Sequence, residues 1–325
     1  MRKLIRRGYR FLLVLALAVI SGFMGFSQPP RLHVISLKNP RQLRTFLRYG
    51  PDRSRPDRIP FVSAHRGGPR PGYPENCLAT FENTLRSTWA MLEIDPRYSK
   101  DSAIVLMHDP TLDRTTTGHG KVSGFTLEEL RKLRLKDPDG RVTDYPIPTL
   151  GEALEWAKGK TVLIVDQKDV PMPARVQEIT KHRAEANALV MAYTFEDAQL
   201  AYALNPEVAM EVFIPDREAA DRFEQMGVSW QNVVAFVTHT QPKDATIFQH
   251  LHKKGTLAIV GSSRTIDKAY AEKGIAKNEL DKGYLAIIAS GADIIEADLA
   301  IEAGEALRTI PKKKSSKDQF FKIRP

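Results

Sequence analysis

The sequence predicts an α/β fold, a closed (β/α)8 TIM barrel, on two observations. Short apolar runs recur along residues 61–310, and helical patterns with recognisable N-terminal caps lie between them. Strands that alternate with helices over such a length favour a parallel sheet. Eight or nine strands without an obvious break favour a closed barrel over an open sheet.

The predicted strands are apolar runs bounded by turn or helix signals. In chain order they are Phe61–Ala64, Leu92–Asp95, Ile104–Met107, Thr161–Asp166, Leu189–Ala192, Val208–Phe213, Val233–Val237, Thr256–Val260 and Ile294–Glu296. Two predicted helices begin with capping boxes, at Thr126–Glu129 and Thr149–Glu152, where hydroxyl and carboxylate satisfy free backbone N–H groups. The stretch Pro110–Pro148 is too long for an ordinary connection and is predicted to cross one rim of the barrel.

The two ends of the chain differ in composition from this barrel domain. Residues 1–27 combine a cationic start, the apolar run Phe11–Ile20 and small residues before Gln28, which predicts a signal peptide. The alternative is an uncleaved N-terminal anchor. The sequence therefore predicts an extracytoplasmic protein, periplasmic or secreted, or membrane-anchored if the segment is retained. Residues 28–60, rich in Arg and Pro without a sustained period, are predicted to be an irregular lead-in.

The net charge of +9 lies at the ends of the chain. Residues 1–27 carry +5 and residues 311–325 carry +5, and subtracting both from +9 leaves −1 for residues 28–310. A near-neutral body argues against nucleic acid as a partner. The basic tail, 311–325, is predicted to be solvated and disordered, with contact to anionic lipid as the alternative. The single cysteine excludes an intramolecular disulfide.

Acidic residues at predicted strand ends indicate a metal site. Glu93 and Asp95 lie two apart on a strand, so their side chains point to one face. Two carboxylates that close together repel unless a cation or a proton lies between them. Oxygen ligands favour one hard divalent cation, Ca²⁺ or Mg²⁺. Asp166 is the candidate third ligand, and Lys168 would share its face and bring positive charge to the site.

Two histidines also follow predicted strands. His65 and His108 would face the same opening, where an imidazole pair can supply one base and one acid near neutral pH. The planar donors of Arg66 suit two phosphate oxygens. Gly67 and Gly68 then let the backbone approach a ligand. Together these residues suggest phosphoryl chemistry.

Five segments carry a resemblance to a known family. The chain resembles the glycerophosphodiester phosphodiesterases, in order and spacing, at Ala64–Gly68, Pro74–Asn76, Glu93–Asp95, Ser99–Asp101 and His108–Thr116. The resemblance implies a TIM barrel with a small insertion after the second strand region, at about residues 110–148. It also implies cation-dependent hydrolysis of a small-molecule glycerol-3-phosphate diester to glycerol 3-phosphate and an alcohol.

The resemblance also implies roles for individual residues. His65 and His108 match the general acid and base, in an order left open, Arg66 matches a phosphate contact, and Glu93 and Asp95 match metal ligands. Glu75 and Asn76 match the segment that lines the metal and substrate region.

The chain departs from the family pattern at two places. The usual Glu-x-Lys is Asp166-Gln-Lys168, so the third ligand is direct, water-bridged or lost. The usual His-Pro-Trp-like segment is replaced by Leu257–Gly261, which changes the glycerol or leaving-group pocket.

Two other functions stay open on sequence alone. The same site serves phospholipase D-like enzymes of this barrel type, so lysophospholipids or sphingophospholipids are alternative substrates. A non-catalytic surface protein that binds phosphodiesters is the alternative from another class. Its support is the altered Asp166 position and the missing tryptophan segment.

Overall fold

The computed structural model describes residues 31–50 and 59–325. Its strands in chain order are β1 (Leu32–Ile35), β2 (Phe61–Ala64), β3 (Ala90–Ile94), β4 (Pro96–Tyr98), β5 (Ile104–Leu106), β6 (Leu163–Val165), β7 (Ala188–Ala192), β8 (Ala209–Phe213), β9 (Val233–Thr238), β10 (Ala258–Gly261), β11 (Ile294–Ala297) and β12 (Phe321–Arg324).

The helices of the described residues lie mostly between the parallel strands. They are α1 (Pro40–Leu47), α2 (Leu78–Ser87), α3 (Leu127–Arg131), α4 (Leu150–Ala157), α5 (Met172–Lys181), α6 (Phe195–Leu204), α7 (Arg217–Glu224), α8 (Ile247–Lys254), α9 (Lys268–Lys273), α10 (Lys277–Ser290) and α11 (Ala300–Leu307). The two predicted capping boxes are present, at the starts of α3 and α4.

Eight parallel strands close into a barrel, in the order β10-β11-β2-β3-β6-β7-β8-β9. The predicted fold class is therefore confirmed. Side chains alternate along each strand: in β8, Met210 and Val212 pack against the helix layer, whereas Ala209 and Phe213 belong to the barrel interior. This alternation also turns Glu211 inward and decides which side chains can reach a shared cavity.

One predicted strand lies outside the barrel. Residues Ile104–Leu106 form β5, which pairs antiparallel with β4. The insertion therefore begins soon after β3, earlier than the predicted boundary at Pro110, and its own small core includes Val105, Met107 and Leu112. An apolar run indicates burial but does not indicate which of two cores buries it, which is why the prediction of a barrel strand here was wrong.

The lead-in and the C-terminal tail pair with each other and form regular secondary structure. In the lead-in, β1 pairs antiparallel with β12 of the tail, and Asn39 caps α1 by accepting a hydrogen bond from the Gln42 backbone N–H at 3.0 Å. Over residues 31–50 and 311–325 the prediction of an irregular lead-in and a disordered tail is therefore wrong, whereas residues 28–30 and 51–58 of the predicted lead-in lie outside the described residues. Apolar residues interspersed among the basic ones, such as Phe46 and Phe320, are buried and supply the missing core.

These two segments cover the amino-terminal end of the barrel. The ring of Phe61, the first residue of β2, lies 5.2 Å from that of Phe46 and 6.0 Å from that of Phe321, measured between centroids. The Ile35 N–H donates to the Lys160 carbonyl, just before β6, at 2.7 Å. We call residues 31–50 and 311–325 the basal cap.

Within the described residues, we find no helix that is both long and apolar enough to cross a bilayer. The predicted signal peptide or anchor, residues 1–27, lies outside the described residues. Its identity stays a prediction.

Candidate active site

The carboxyl ends of the barrel strands form the mouth, opposite the basal cap. His65 follows β2, Asp95 follows β3 and Asp166 follows β6. Because parallel strands end at one rim, residues far apart in sequence meet there. The structure brings all nine predicted site residues to this region: His65, Arg66, Glu75, Asn76, Glu93, Asp95, His108, Asp166 and Lys168.

Three acidic side chains converge at the mouth. One oxygen each of Glu93, Asp95 and Asp166 lies within 4.8 Å of the other two, and all three residues are buried. Ile94 points the other way, into the helix layer, as the spacing of two predicts. Asn76 fixes Asp95 from both sides, since its amide donates to Asp95 Oδ2 at 2.6 Å and its Oδ1 accepts from the Asp95 backbone N–H at 2.9 Å.

The charges at this cluster are unbalanced without a cation. Burial, reinforced by the neighbouring Asp95 and Asp166 carboxylates, raises the pKa of Glu93 well above its usual value. Burial also acts to raise the pKa of Asp95, but Lys168, His108 and the Asn76 amide outweigh it and the pKa is lowered. The Lys168 ammonium lies 2.9 Å from Asp95 Oδ1 and also pairs with Asp166. Three buried carboxylates and one ammonium fit a hard divalent ion.

His65 lies on a short helical turn directly after β2 and is held by a carboxylate. Its Nδ1 lies 2.6 Å from Asp298 Oδ1. Burial acts to lower the pKa of His65, but the Asp298 hydrogen bond and the Glu296 charge raise it overall. Asp267 in turn accepts from the Asp298 backbone N–H at 2.9 Å and from the Tyr284 hydroxyl at 2.5 Å. The imidazole orientation is therefore fixed through two successive carboxylates.

His108 reaches the mouth from the insertion and not from a barrel strand. Arg97 donates to the His108 carbonyl from Nε at 2.9 Å and from Nη2 at 2.7 Å. The imidazole Nδ1 lies 2.7 Å from Asp109 Oδ1. His108 lies close enough to the carboxylate cluster to act on the charge of Asp95. That both histidines face one opening stays a prediction, and the predicted barrel strand before His108 is wrong.

Guanidinium groups and a carboxylate line the entrance beside the two histidines. Arg66 has φ +52°, and its backbone N–H donates to Glu93 Oε2 at 2.7 Å. Its side chain donates to Glu75 at 3.2 Å, and Arg114 donates to the two oxygens of Glu75 at 2.8 Å each. Glu75 therefore orients two cationic side chains. The groove that His65, Arg66 and Arg114 share continues along the loop 136–140.

Sequence reasoning missed several residues of the site. Tyr193 follows β7, and its hydroxyl donates to Asp166 Oδ1 at 2.6 Å. Glu296 on β11 is buried, and burial raises its pKa to about 7, with repulsion from nearby acids adding to the effect and His65 opposing it. Glu211 on β8 is fully buried and also has a raised pKa. Their position near the ends of predicted strands was the available signal, and Arg114 lay inside the quoted motif 108–116.

The segment that lacks the expected tryptophan is lined by other rings. A Cβ atom at Gly261 would lie 2.5 Å from His239 Nδ1, so the glycine makes room for this imidazole. Phe236 lies 4.6 Å from His239 between ring centroids, and Phe213 lies 4.7 Å from Phe236. Tyr193 stacks on Phe213 at 5.1 Å. We call these four rings the aromatic wall.

Comparisons with known proteins agree with this geometry. The model of the Glycerophosphoryl diester phosphodiesterase family matches residues 65–272. A crystal structure of a glycerophosphoryl diester phosphodiesterase from Parabacteroides distasonis is 41% identical with a TM-score of 0.85, covering 90% of this chain and 100% of that one. A phosphodiesterase from Oleispira antarctica, solved with the product sn-glycerol-3-phosphate, is 22% identical with a TM-score of 0.56, covering 77% of this chain and 97% of that one, and supports the fold alone.

Curated relatives match shorter stretches. Human glycerophosphodiester phosphodiesterase 1 is 41% identical over 101 residues, which cover 30% of each chain. The glycerophosphodiester phosphodiesterase of Caldanaerobacter subterraneus is 39% identical over 104 residues, 32% of this chain and 42% of the relative. The chain therefore spans less than half the length of these two relatives.

Proposed function

Because the chain belongs to the glycerophosphoryl diester phosphodiesterase family, we propose that it hydrolyses glycerophosphodiesters to sn-glycerol 3-phosphate and an alcohol. One observation carries the proposal: the buried carboxylate cluster of Glu93, Asp95 and Asp166 lies beside both histidine segments, since His108 acts on the charge of Asp95 and the Arg66 N–H, next to His65, donates to Glu93. The groups needed to hold a cation and to move two protons are thus within reach of a single bound ester.

The carboxylate cluster is suited to one divalent cation. Glu93, Asp95 and Asp166 would hold Ca²⁺ or Mg²⁺, with Asp166 as a ligand despite its shorter side chain because it lies within the same 4.8 Å set. A bound cation supplies Lewis-acid stabilisation of charge that develops on a phosphoryl oxygen. Lys168 already neutralises part of the cluster, and Arg66 faces the groove beside His65. Both side chains would bind and orient the phosphate.

The two imidazoles perform the proton transfers. One accepts the proton of the attacking oxygen, and the other donates a proton to the leaving alkoxide, each worth about 10²- to 10⁴-fold in rate. Asp298 and Asp109 hold the Nδ1 sides of His65 and His108, so the Nε2 atoms are left for substrate. The attacking oxygen belongs to water or to the glycerol hydroxyl of the substrate, which would give a cyclic phosphate first.

The place of action we propose is outside the cytoplasm. The cationic and apolar pattern of residues 1–27 supports export, with a periplasmic or secreted product after cleavage or an anchored one without it. Detection of the protein in periplasmic and membrane fractions of the source cell tests this assignment. A purely cytosolic location would overturn it.

The aromatic wall favours a second substrate class. Tyr193 is about half exposed at the mouth (48%) and stacks on Phe213. An apolar rim of this kind would also accommodate the chain of a lysophospholipid or a sphingophospholipid.

Substrate and cation dependence are tested together. The purified protein is incubated with glycerophosphocholine, glycerophosphoethanolamine or a lysophospholipid, with and without EDTA, and glycerol 3-phosphate and alcohol are quantified. We expect EDTA-sensitive release of glycerol 3-phosphate from the soluble diesters. Faster turnover of the lysophospholipid would favour the second class, and no turnover of any diester would favour a non-catalytic binder.

A further inference from the structure

The basal cap carries the positive charge of the residues that the structure describes, and the rest of them are net negative. The basal cap contains eleven basic residues and one acidic residue, a net +10, whereas residues 59–310 carry −7. The lead-in half of the cap, residues 31–50, has no acidic residue at all. Because β1 pairs with β12, these two distant segments form one continuous surface. The near-neutral net charge of residues 28–310 therefore includes the basic lead-in half of the basal cap, and the whole cap is strongly basic.

Most basic side chains of the cap are exposed to solvent, whereas Lys317 is buried. Lys38, Arg41, Arg48 and Lys322 are exposed, and so is the run Lys312–Lys314. Arg44, which is partly buried, pairs with Glu207 of the body at 3.3 Å. Charges on one exposed surface within a Debye length of each other act together on a charged partner.

The same surface has an apolar component. A groove lined by Trp89, Leu307 and Ile310 runs beside Lys312 and Lys313. Ile323 on β12 is 52% exposed. Tryptophan beside basic side chains is typical of surfaces that meet a bilayer interface, where rings and aliphatic groups enter the headgroup region. A soluble polyanion would use the charge but not the apolar groove.

We propose that the basal cap binds the surface of an anionic phospholipid bilayer. Each exposed Lys or Arg near such a surface gains about 1 kcal/mol from its negative potential.

This placement directs the mouth away from the lipid. The strands of the barrel run from the cap to the mouth, and five residues of a strand such as β8 span about 15 Å. The catalytic residues of the proposed function would then face the aqueous side, where soluble diesters arrive. The inference concerns a second surface and does not depend on the reaction at the mouth.

Vesicle co-sedimentation of the full chain tests the proposal. Vesicles of phosphatidylcholine alone are compared with vesicles containing about one-third phosphatidylserine, which supplies the surface potential. We expect the triple variant Lys312→Glu, Lys313→Glu, Lys314→Glu to weaken binding to the anionic vesicles by about tenfold or more. A matched variant of exposed lysines remote from the cap, Lys121→Glu, Lys132→Glu, Lys273→Glu, has the same charge change and is expected to bind like the wild type.

If residues 1–27 insert into both kinds of vesicle, co-sedimentation no longer reports on the cap. Hydrogen exchange then measures contact of the cap itself. We expect backbone amides of residues 31–50 and 311–325 to be protected more on anionic than on neutral vesicles. Equal exchange on the two vesicles, or equal weakening by the two triple variants, would overturn the proposal. Turnover of a soluble diester by both variants at the wild-type rate shows that the fold is intact.

Discussion

The mouth and the basal cap lie at opposite ends of the barrel. The residues buried at the cap are apolar, whereas several of those buried at the mouth are acidic. At the cap, Phe46 and Leu43 are buried among aromatic and aliphatic neighbours. At the mouth, Glu93, Asp166 and Glu211 are buried, and no hydrogen bond is found among the described residues for either oxygen of Glu211. Apolar burial stabilises the fold, whereas buried carboxylates cost stability unless a cation or proton neutralises them. The cap therefore contributes to the stability of the fold, whereas the mouth carries the reactive groups at a cost in stability.

The largest expected effect is on turnover at the mouth. His65→Ala or His108→Ala should lower kcat by about 10²- to 10⁴-fold, since each removes one proton transfer. His119→Ala, at an exposed loop histidine, is the matched control and should keep wild-type activity. Initial rates of glycerol 3-phosphate release measure the effect. Full activity in either active-site variant would break the assignment of the imidazoles.

A change at the cap should affect stability and leave the chemistry unaltered. Phe46→Ala removes a fully buried ring that contacts Phe61 and Phe320, and should lower the free energy of unfolding by about 3–5 kcal/mol. Urea unfolding measures it, with the exposed Val142→Ala as the control. The cation concentration for half-maximal activity should not move, and a large shift would show that the two ends are coupled.

The buried acids should make stability depend on pH. The folded pKa of Glu296, about 7, lies above the unfolded value near 4.5, so the folded state binds this proton more tightly. Between these two pH values the free energy of unfolding should therefore fall as pH rises, by about 1–3 kcal/mol through this carboxyl.

Urea unfolding in EDTA across this pH range tests the dependence. Glu296→Gln should flatten the profile, whereas Glu218→Gln, at an exposed acid, should not. A profile that is identical in Glu296→Gln and the wild type would contradict the raised pKa.

The smallest effect is expected on cation affinity, from a residue that hydrogen-bonds to the carboxylate cluster. Tyr193→Phe removes the hydroxyl that donates to Asp166 and should raise the half-saturating cation concentration by about tenfold. Tyr202→Phe on α6 is a matched loss of one hydroxyl away from the cluster. Activity titrated with Mg²⁺ or Ca²⁺ measures both variants, and equal curves would remove Tyr193 from the site.

The parts predictable from sequence were those set by short-range periodicity. The spacing of Glu93 and Asp95 placed both on the inner face, and a strand that ends at His65 placed that residue at the mouth. The pairing of β1 with β12 joins segments almost 300 residues apart, and no local pattern in the lead-in encodes its partner. The Asp298 contact to His65 has the same origin, since only closure of the barrel brings β11 beside β2.

The insertion shows the limit of apolar patterns most clearly. The run 104–107 reads as a strand and forms one, but its partner is β4 and not a barrel strand. His108 nevertheless reaches the site because the Met107 N–H donates to the Asp95 carbonyl at 2.7 Å. The correct residue was thus identified from the sequence on an incorrect structural ground.

If one divalent cation resolves the repulsion among the buried acids at the mouth, as proposed, its binding should stabilise the folded protein. The most direct test is the free energy of unfolding in urea with EDTA and then with saturating Ca²⁺ or Mg²⁺. The wild type should gain about 2–4 kcal/mol with the cation, and Glu93→Gln/Asp95→Asn should gain almost nothing. An equal gain in both proteins, or no gain in the wild type, would contradict the claim.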